Sequence, residues 1–174
     1  KKLKSGDVAG VAMRSKADGT AGSWPGGGFV FSNGGVIIQD GKCMLDSPEA
    51  IEAIHYYGTI LKEAGPLGVG NYHWYECLND YMQEVCAIGM DSSNFATDIE
   101  NPEKSNAAGH TTYGAMVSGP GKQAKPNMWH WMAGINSKSQ QKAAAFLFLT
   151  WANSKPTCLM SSALGLATTR TSAW

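Results

Sequence analysis

The stretch VIIQDGKCMLDSPEAIEAIHYYGTILKEAG (36–65) predicts a short β-hairpin that leads directly into a helix. Asp40 and Gly41 supply the positive φ angles that a tight two-residue turn requires, so residues 36–45 form the hairpin. The helix follows over residues 46–65. A strand pair joined to a long helix within thirty residues already favours a fold that mixes both element types.

The helix over 46–65 carries its own start and stop signals. Asp46 or Ser47 caps its first turn, and Glu49 completes a capping box with Asp46. Gly65 ends it, because glycine tolerates the backbone angles found just past a helix. Apolar residues recur at helical spacing and predict a buried stripe of Ile51, Ile54, Tyr57 and Leu61.

The rest of the chain alternates between helical and extended patterns. The glycine-rich segment 18–35, around one Trp and two Phe, is predicted to be loop-rich. Helices are predicted over 72–85, 91–101, 139–152 and 155–165, and strands over 86–90, 111–116 and 128–135. In the helix over 139–152, Ser137 or Ser139 is the expected cap, and the stripe Ala144, Leu147, Phe148 and Trp151 is expected to be buried. This interleaving predicts an α/β fold.

Composition excludes several classes of protein. Apolar residues make up 43% of the chain, which is typical of a globular domain. Lys plus Arg and Asp plus Glu both number 14, and no basic run argues for nucleic acid or an anionic membrane surface. No apolar run approaches the roughly 20 residues of a membrane span. The chain does not begin with Met, so we expect a mature product or a piece of a longer protein.

The sequence shows no catalytic or metal-binding motif of useful specificity. The four histidines and four cysteines lack the ligand spacing that zinc requires, and no cofactor is expected. Ser139 and Lys142 form an S-x-x-K pattern, but the partner motifs of acylating serine enzymes are absent. Two disulfides are possible in an oxidising compartment. We expect four buried free thiols instead, because each cysteine has apolar neighbours.

The aromatic residues are more informative. Trp74 lies in GNYHWYE (70–76), and Trp129 and Trp131 lie in KPNMWHWMAG (125–134). Flat aromatic rings with nearby polar groups suit the apolar faces and polar rims of sugars. The polar groups that could serve here are Arg14, Asn71, Glu76, Asp91 and Asn94. From these residues alone, a binding cleft and a packed aromatic surface are equally open.

An ordered set of segments resembles the extracellular solute-binding proteins of ABC transporters, in the branch that takes up sugars and polyols. These segments cover almost the whole chain: GVAMRS (10–15), FVFSNGGVIIQDGKCMLDSPEAIEAIHYY (29–57), GPLGVGNYHWYECLNDYMQ (65–83), MDSSNFATDIENPEKS (90–105), WHWMAGINSKSQQKAAAFLFLTWANSK (129–155) and GLATTRTSAW (165–174). The chain departs from the family pattern before its D-S-S turn. There the family has a Gly and an Ala-Met pair, and this chain has Glu84 and Ile88.

The resemblance implies a periplasmic-binding-protein-like lobe of type II. Residues 1–127 would then form the second, C-terminal lobe, and 128–136 a crossover strand. Residues 137–174 would form a helical segment that packs on the first lobe or folds back. The first lobe would lie upstream and is not part of this sequence. The apolar helix over 139–152 would be covered by that lobe or by a second copy of the chain.

The resemblance also implies a function. The protein would bind a sugar or polyol as the binding component of an ABC importer, without enzymatic activity, and would dock on the transporter permease. Trp131 and Trp74 would stack on the ligand, with Tyr72 and Trp129 as second choices. Arg14 and Asp91 would hydrogen-bond its hydroxyls. The location would be periplasmic or extracellular, with a lipid anchor possible in the full-length form.

Two other functions remain open at this point. A carbohydrate-active enzyme domain would use Glu76 and Asp91 as acid and base. A dimerising module would bind no small ligand.

Overall fold

The computed structural model describes residues 6–18, 22–128 and 132–164. The chain divides into two compact units, Lys1–Asn127 and Met128–Trp174. Their assignment to lobes of a larger protein stays a prediction. The first unit contains, in chain order, β1 Ala12–Met13, α1 Ser23–Ser32, β2 Ile38–Gln39, β3 Lys42–Cys43, α2 Pro48–Ala64, α3 Trp74–Met82, β4 Gly89–Met90 and α4 Ala96–Ile99.

Strands β1 and β4 pair in parallel near the middle of the first unit, with Ala12 opposite Gly89 and Met13 opposite Met90. The strand predicted over 86–90 is therefore confirmed at its end. Successive side chains of β1 point to opposite faces, as the pleat requires. Met13 packs with one apolar cluster that includes α1 and α2, and Ala12 packs with a second that includes Cys77 of α3. A strand covered by helices on both faces confirms the α/β class.

The hairpin of β2 and β3 has the predicted turn. Asp40 has φ 51° and Gly41 has φ 74°, so both central residues adopt the left-handed region. The strands pair in antiparallel register, Ile38 opposite Cys43. The turn chemistry of two residues was sufficient to predict this element.

Helix α2 begins and ends where its signals predict, but it buries a different face. The hydroxyl of Ser47 accepts a hydrogen bond from the amide of Ala50 over 3.4 Å, and Gly65 ends the helix. Ile51 and Ile54 are 56% and 45% exposed, so the predicted stripe is wrong at these two positions. The core face carries small residues, which allow close helix packing, together with partly buried larger ones: Ala50, Ala53, Tyr57, Ile60, Leu61 and Ala64.

Helix α1 corrects the prediction of a loop over 18–35. Three consecutive glycines normally oppose a helix. Here Phe29 and Val30 are buried, at 7% and 1% exposure. A Cβ atom on Gly28 would lie 3.0 Å from the Cε of Met116 and 3.3 Å from the Nδ2 of Asn127. The helix therefore uses glycine to let a distant part of the chain approach its backbone.

Helix α3 is shorter than the predicted 72–85 and ends in a Schellman motif. The amide of Glu84 donates to the carbonyl of Tyr81 over 3.0 Å, and the amide of Val85 donates to the carbonyl of Asp80 over 2.8 Å. The residue at the left-handed position of this motif is Glu84, with φ 58°. Glycine is the residue that usually occupies this position, because a side chain is strained there.

We expect Glu84→Gly to raise the free energy of unfolding by about 1 kcal/mol, because it removes the left-handed strain of a residue with a Cβ. The carboxylate of Glu84 lies 3.9 Å from Nδ1 of His110, and both side chains are exposed, so this contact contributes little. Urea denaturation of the two proteins measures the change. Glu84→Ala is the matched control, because it removes the carboxylate but keeps the Cβ. An equal gain from both variants would contradict the role of backbone strain.

Two predicted strands are not found. Residues 111–116 form no strand, and neither do the described residues of 128–135. The β-branched and aromatic residues of 111–116 favour extended backbone. A strand also needs a pairing partner, however, and among the described residues β4 pairs only with β1.

The second unit contains α5 Lys142–Ala152 and α6 Lys155–Ala163. Helix α5 begins three residues later than predicted, and neither Ser137 nor Ser139 caps it. The Ser139 hydroxyl accepts from the amide of Gln141, which forms a local turn before the helix. Helix α6 begins where predicted and is capped by Ser154.

Helix α5 presents an apolar face to solvent. The predicted burial of Trp151 is wrong, because this residue is 56% exposed. Its large apolar neighbours are exposed by a similar fraction: Phe146, Leu147 and Phe148. Leu147, Phe148 and Trp151 lie on one side of this helix, and we call these three residues the α5 face. Across residues 6–18, 22–128 and 132–164, no helix combines the length and apolar composition needed to cross a membrane.

Candidate functional site

Arg14 and Asp91 follow directly after the two paired strands. Because β1 and β4 are parallel, the residues after Met13 and Met90 emerge at the same edge of the sheet. Ligands of open α/β folds bind outside the carboxyl ends of such strands. The strand register therefore brings together two side chains that are 77 residues apart in sequence.

Arg14 and Asp91 form a bidentate ion pair. The Nε and Nη2 atoms of Arg14 donate to Oδ2 and Oδ1 of Asp91 over 2.7 and 2.6 Å. The amide of Ser92 also donates to Oδ1 over 2.7 Å. The two side chains are 13% and 9% exposed, so the pair is largely withdrawn from water. Two parallel bonds between charged groups fix the plane of the guanidinium.

Trp24 lies against the same guanidinium, whose central carbon is 4.7 Å from the centre of a Trp24 ring. An arginine over the face of a tryptophan is a favourable cation–π contact. Trp24 was not among the residues predicted to contact a ligand. A tryptophan followed by Pro25 could have indicated the start of a helix. The glycines that follow it predicted a loop over 18–35 instead.

A cleft of about 740 Å³ opens at this pair and lies within the first unit. Its walls come from β1, α1, α2, α3, β4 and residues 111–117. Most of its lining is apolar, and Asp91, Ser92 and Ser93 are among its polar groups. Representative lining residues are Met13, Trp24, Phe29, Asp91, Phe95 and Met116. An apolar cleft with a few oriented polar groups is typical of a small-molecule site.

Tyr57 supports the pair from α2. Its hydroxyl donates a hydrogen bond to the main-chain carbonyl of Arg14. Burial raises the pKa of the Tyr57 hydroxyl well above its ordinary value, and nearby Cys77 and Asp91 raise it further. Tyr57 therefore remains a proton donor at neutral pH and holds the chain just after β1.

Trp74 lies close to this cleft. It is 40% exposed and stacks on Phe95, with ring centres 5.5 Å apart and an angle of 24° between the rings. Phe95 in turn lines the cleft. The exposed ring of Trp74 remains available to an apolar surface, which keeps the predicted stacking role of this residue open.

Tyr72 has local partners. Its hydroxyl donates to Oδ2 of Asp80 over 2.7 Å, and its ring packs on the second apolar cluster. Its carbonyl accepts from the amides of Ser15 and Lys16 over 2.9 and 3.0 Å. Tyr72 therefore helps to hold the segment that follows Arg14.

The other predicted residues fall into three sets: a helix cap, two exposed asparagines, and two tryptophans that the structure does not describe. Glu76 accepts a hydrogen bond from the amide of His73 over 2.8 Å and caps α3. Asn71 and Asn94 are exposed. Trp129 and Trp131 lie outside the described residues. The structure thus brings together Arg14 and Asp91 of the predicted set and adds Trp24 to them.

Two buried thiols lie in the second apolar cluster. Cys77 and Cys86 are 2% and 4% exposed, and both are free. Burial raises the pKa of each thiol to about 12. Cys43 is also free but exposed, so the expectation that all four cysteines are buried is wrong.

We expect Cys43 to react rapidly with an aromatic disulfide reagent at pH 8, whereas Cys77 and Cys86 react only as the chain unfolds.

The raised pKa of Cys77 and Cys86 means that these thiols keep protons in the native state that they lose in the unfolded state above their ordinary pKa of about 9. Stability should therefore fall as pH rises from about 9 towards 12. Thiol release and alkaline melts measure both effects. Fast release that persists in Cys43→Ser would contradict the assignment.

Among the residues that the structure describes, no group of three or more His, Cys, Asp or Glu side chains is arranged to hold a metal ion. The arrangement at Arg14, Trp24 and Asp91 suits non-covalent recognition instead. A fixed guanidinium plane, an aromatic ring and an apolar cleft can bind a molecule that has both hydroxyl groups and C–H faces.

Comparison with known proteins identifies the family of this chain. The family model described as bacterial extracellular solute-binding protein matches residues 1–157. The chain belongs to this family. Family members of this type are binding proteins of ABC transporters, and the periplasmic-binding-protein-like fold class is confirmed.

Curated relatives of this chain include two polyol-binding proteins. It is 26% identical over 111 residues to the erythritol/L-threitol-binding protein of Mycolicibacterium smegmatis. The matched residues cover 64% of this chain and 23% of the relative. It is 30% identical over 107 residues to the mannitol-binding protein of Pseudomonas aeruginosa. The matched residues cover 60% of this chain and 24% of that relative. The chain thus spans about a quarter of the length of these relatives.

Solved structures show the same fold. A solute-binding protein of Agrobacterium radiobacter K84, in complex with ribitol, has a TM-score of 0.78 and 25% identity over 90% of this chain and 40% of its own. The maltose-bound MalE3 of T. maritima has a TM-score of 0.82 at 19% identity, over 95% of this chain and 44% of its own, and supports the fold alone. The chain therefore corresponds to less than half of each of these two solved structures.

Proposed function

We propose that this chain forms the part of an ABC importer's binding protein that holds a neutral sugar or polyol at Arg14, Trp24 and Asp91. The observation that carries the proposal is the guanidinium of Arg14, held flat by Asp91 against the ring of Trp24 at the edge of an open cleft. Such a site recognises a ligand by hydrogen bonding and stacking, without covalent chemistry.

The charge of the site favours a neutral ligand. Arg14 and Asp91 neutralise each other, so a ligand with its own net charge would find no unpaired charge in this pair. Arginine has five N–H donors, and two of them bond to Asp91. The others suit hydroxyl oxygens. The exposed ring of Trp74 offers a second surface for the C–H face of a ligand.

The names of the relatives support a polyol in particular. Erythritol or L-threitol, mannitol and ribitol are each named for a related protein. All are acyclic, uncharged and rich in hydroxyl groups. We propose a ligand of this class for this chain, with cyclic sugars as the nearest alternative.

An enzymatic role is less well supported. The carbohydrate-active alternative needs Glu76 and Asp91 as acid and base. Glu76 caps helix α3 through the amide of His73, and Asp91 is bonded to Arg14. Both carboxylates thus have structural partners, and we propose that the chain is a binding protein and not an enzyme.

The proposal extends to partners and location. The complete binding protein would lie in the periplasm or outside the cell, with a lipid anchor possible, and would deliver its ligand to a transporter permease. The α5 face would be covered by the rest of that protein or by a second copy of the chain, because exposed apolar patches of this kind mark contact sites.

Ligand-observed NMR with erythritol, ribitol, D-mannitol and maltose tests the proposed function, since it detects weak binding. Trp24→Ala should weaken polyol binding by about 1–3 kcal/mol, the scale of one aromatic anchor. Trp151→Ala is the matched control, because Trp151 lies in the second unit and is exposed. The proposal fails if no polyol binds, or if the two variants lose the same affinity.

A further inference from the structure

A series of contacts links the end of the first unit to the Arg14–Asp91 pair. The side-chain amide of Asn127 donates a hydrogen bond to the main-chain carbonyl of Trp24. Two residues earlier, the amide of Lys125 donates to the hydroxyl of Ser32 over 2.9 Å. Trp24 and Ser32 lie at opposite ends of helix α1. Residues 125 and 127 are therefore each hydrogen-bonded to α1, one near either end of the helix.

The first turn of α1 has no side-chain cap, because its N-cap residue is Gly22. The bond from Asn127 to the Trp24 carbonyl does not replace that cap, but it ties the backbone of this turn to residue 127. Asn127 lies against Gly28, where a Cβ would be only 3.3 Å from its amide nitrogen. A carbonyl acceptor can pair only with a donor, so the NH₂ group of Asn127 faces Trp24. The position of Trp24 is thus fixed from outside its own helix.

We propose that Asn127 is a positioning residue that holds the ring of Trp24 against the guanidinium of Arg14. Its consequence for ligand affinity rests on the function proposed above. Asn127 is also the last residue of the first unit. A change in the path of the chain after Asn127 would therefore reach Trp24 through the hydrogen bond from the Asn127 side chain to the Trp24 carbonyl.

Fluorine NMR of protein labelled with 5-fluorotryptophan tests this directly. The chain has six tryptophans, and Trp24→Phe assigns the signal of Trp24. Asn127→Asp keeps the shape of the side chain but removes its donor. It should shift the Trp24 signal, because the ring moves relative to the Arg14 charge. It should also weaken polyol binding about fivefold, the scale of one lost hydrogen bond.

Asn101→Asp is the matched control. It adds the same charge to the first unit but keeps the oxygen that accepts from the amide of Glu103 over 2.9 Å. It should leave the Trp24 signal in place. Asn127→Ala removes the donor without adding a charge, so it decides the result if Asn127→Asp is poorly folded. An unshifted Trp24 signal in folded Asn127→Ala overturns the inference.

The two proposals fail in different ways. If the unaltered chain binds no polyol but the Trp24 signal still moves in Asn127→Ala, the proposed function is wrong and the positioning role stands. If polyols bind but the signal does not move, the function stands and the positioning role is wrong.

Discussion

Asp91→Ala is expected to lower the free energy of unfolding by about 3 kcal/mol, because removing one member of a buried pair leaves the other charge without a partner. The guanidinium of Arg14 would remain at a site where only 13% of its side chain is exposed. The amide of Ser92 would lose its acceptor as well. Urea denaturation followed by circular dichroism measures the change.

The matched control for this experiment is Asp98→Ala. Asp98 also forms an ion pair, with Lys104 at 2.8 Å, but both side chains are mostly exposed, at 41% and 58%. Water and salt screen such a pair, so its loss should change stability little. Similar losses in the two variants would show that the Arg14–Asp91 pair is as solvated as a surface pair and does not organise the site.

Phe29→Ala is expected to lower the free energy of unfolding by about 3–4 kcal/mol, as for truncation of a buried aromatic residue. Phe29 is 7% exposed, and its ring lies 5.1 Å from that of Tyr57. Its loss would leave a cavity between α1 and α2, since neither helix can close onto the other without moving the strand beneath them. The same denaturation experiment measures it.

Phe148→Ala provides the comparison within the same chain. Phe148 belongs to the α5 face and is 61% exposed. Its removal should cost less than about 1 kcal/mol, the usual scale for a surface substitution. A loss as large as that of Phe29→Ala would mean that the α5 face is buried in solution, for instance against a second copy. Sedimentation of the unaltered chain would then show a dimer.

Local chemistry accounts for what the sequence predicted correctly. The hairpin turn depends on Asp40 and Gly41, and the start of α2 depends on Ser47, so each signal lies within a few residues of its effect. Helix α1 was missed for the opposite reason. Its glycines are explained by Met116 and Asn127, about ninety to a hundred residues away in sequence, which no local pattern can indicate.

Side-chain environment was harder to predict than backbone. An apolar stripe shows that a helix needs a neighbour but not which neighbour, so Trp151 was expected in a core and lies exposed. The site shows the same limit. Arg14 and Asp91 were selected as polar groups that could serve an aromatic binding site, and each was then predicted to contact the ligand. Their bond to each other, and the place of Trp24 beside them, depend on strand register and on α1.

The separation of Arg14 and Asp91 has a consequence for the order in which the protein folds. The hairpin and α2 bring together residues that are close in sequence, and such elements form within about microseconds. The Arg14–Asp91 contact closes a loop of 77 residues and must wait for β1 and β4 to pair. Intermediates with native helix content would therefore lack the site. The Arg14–Asp91 pair should therefore form late in refolding, when the two ends of that loop have met.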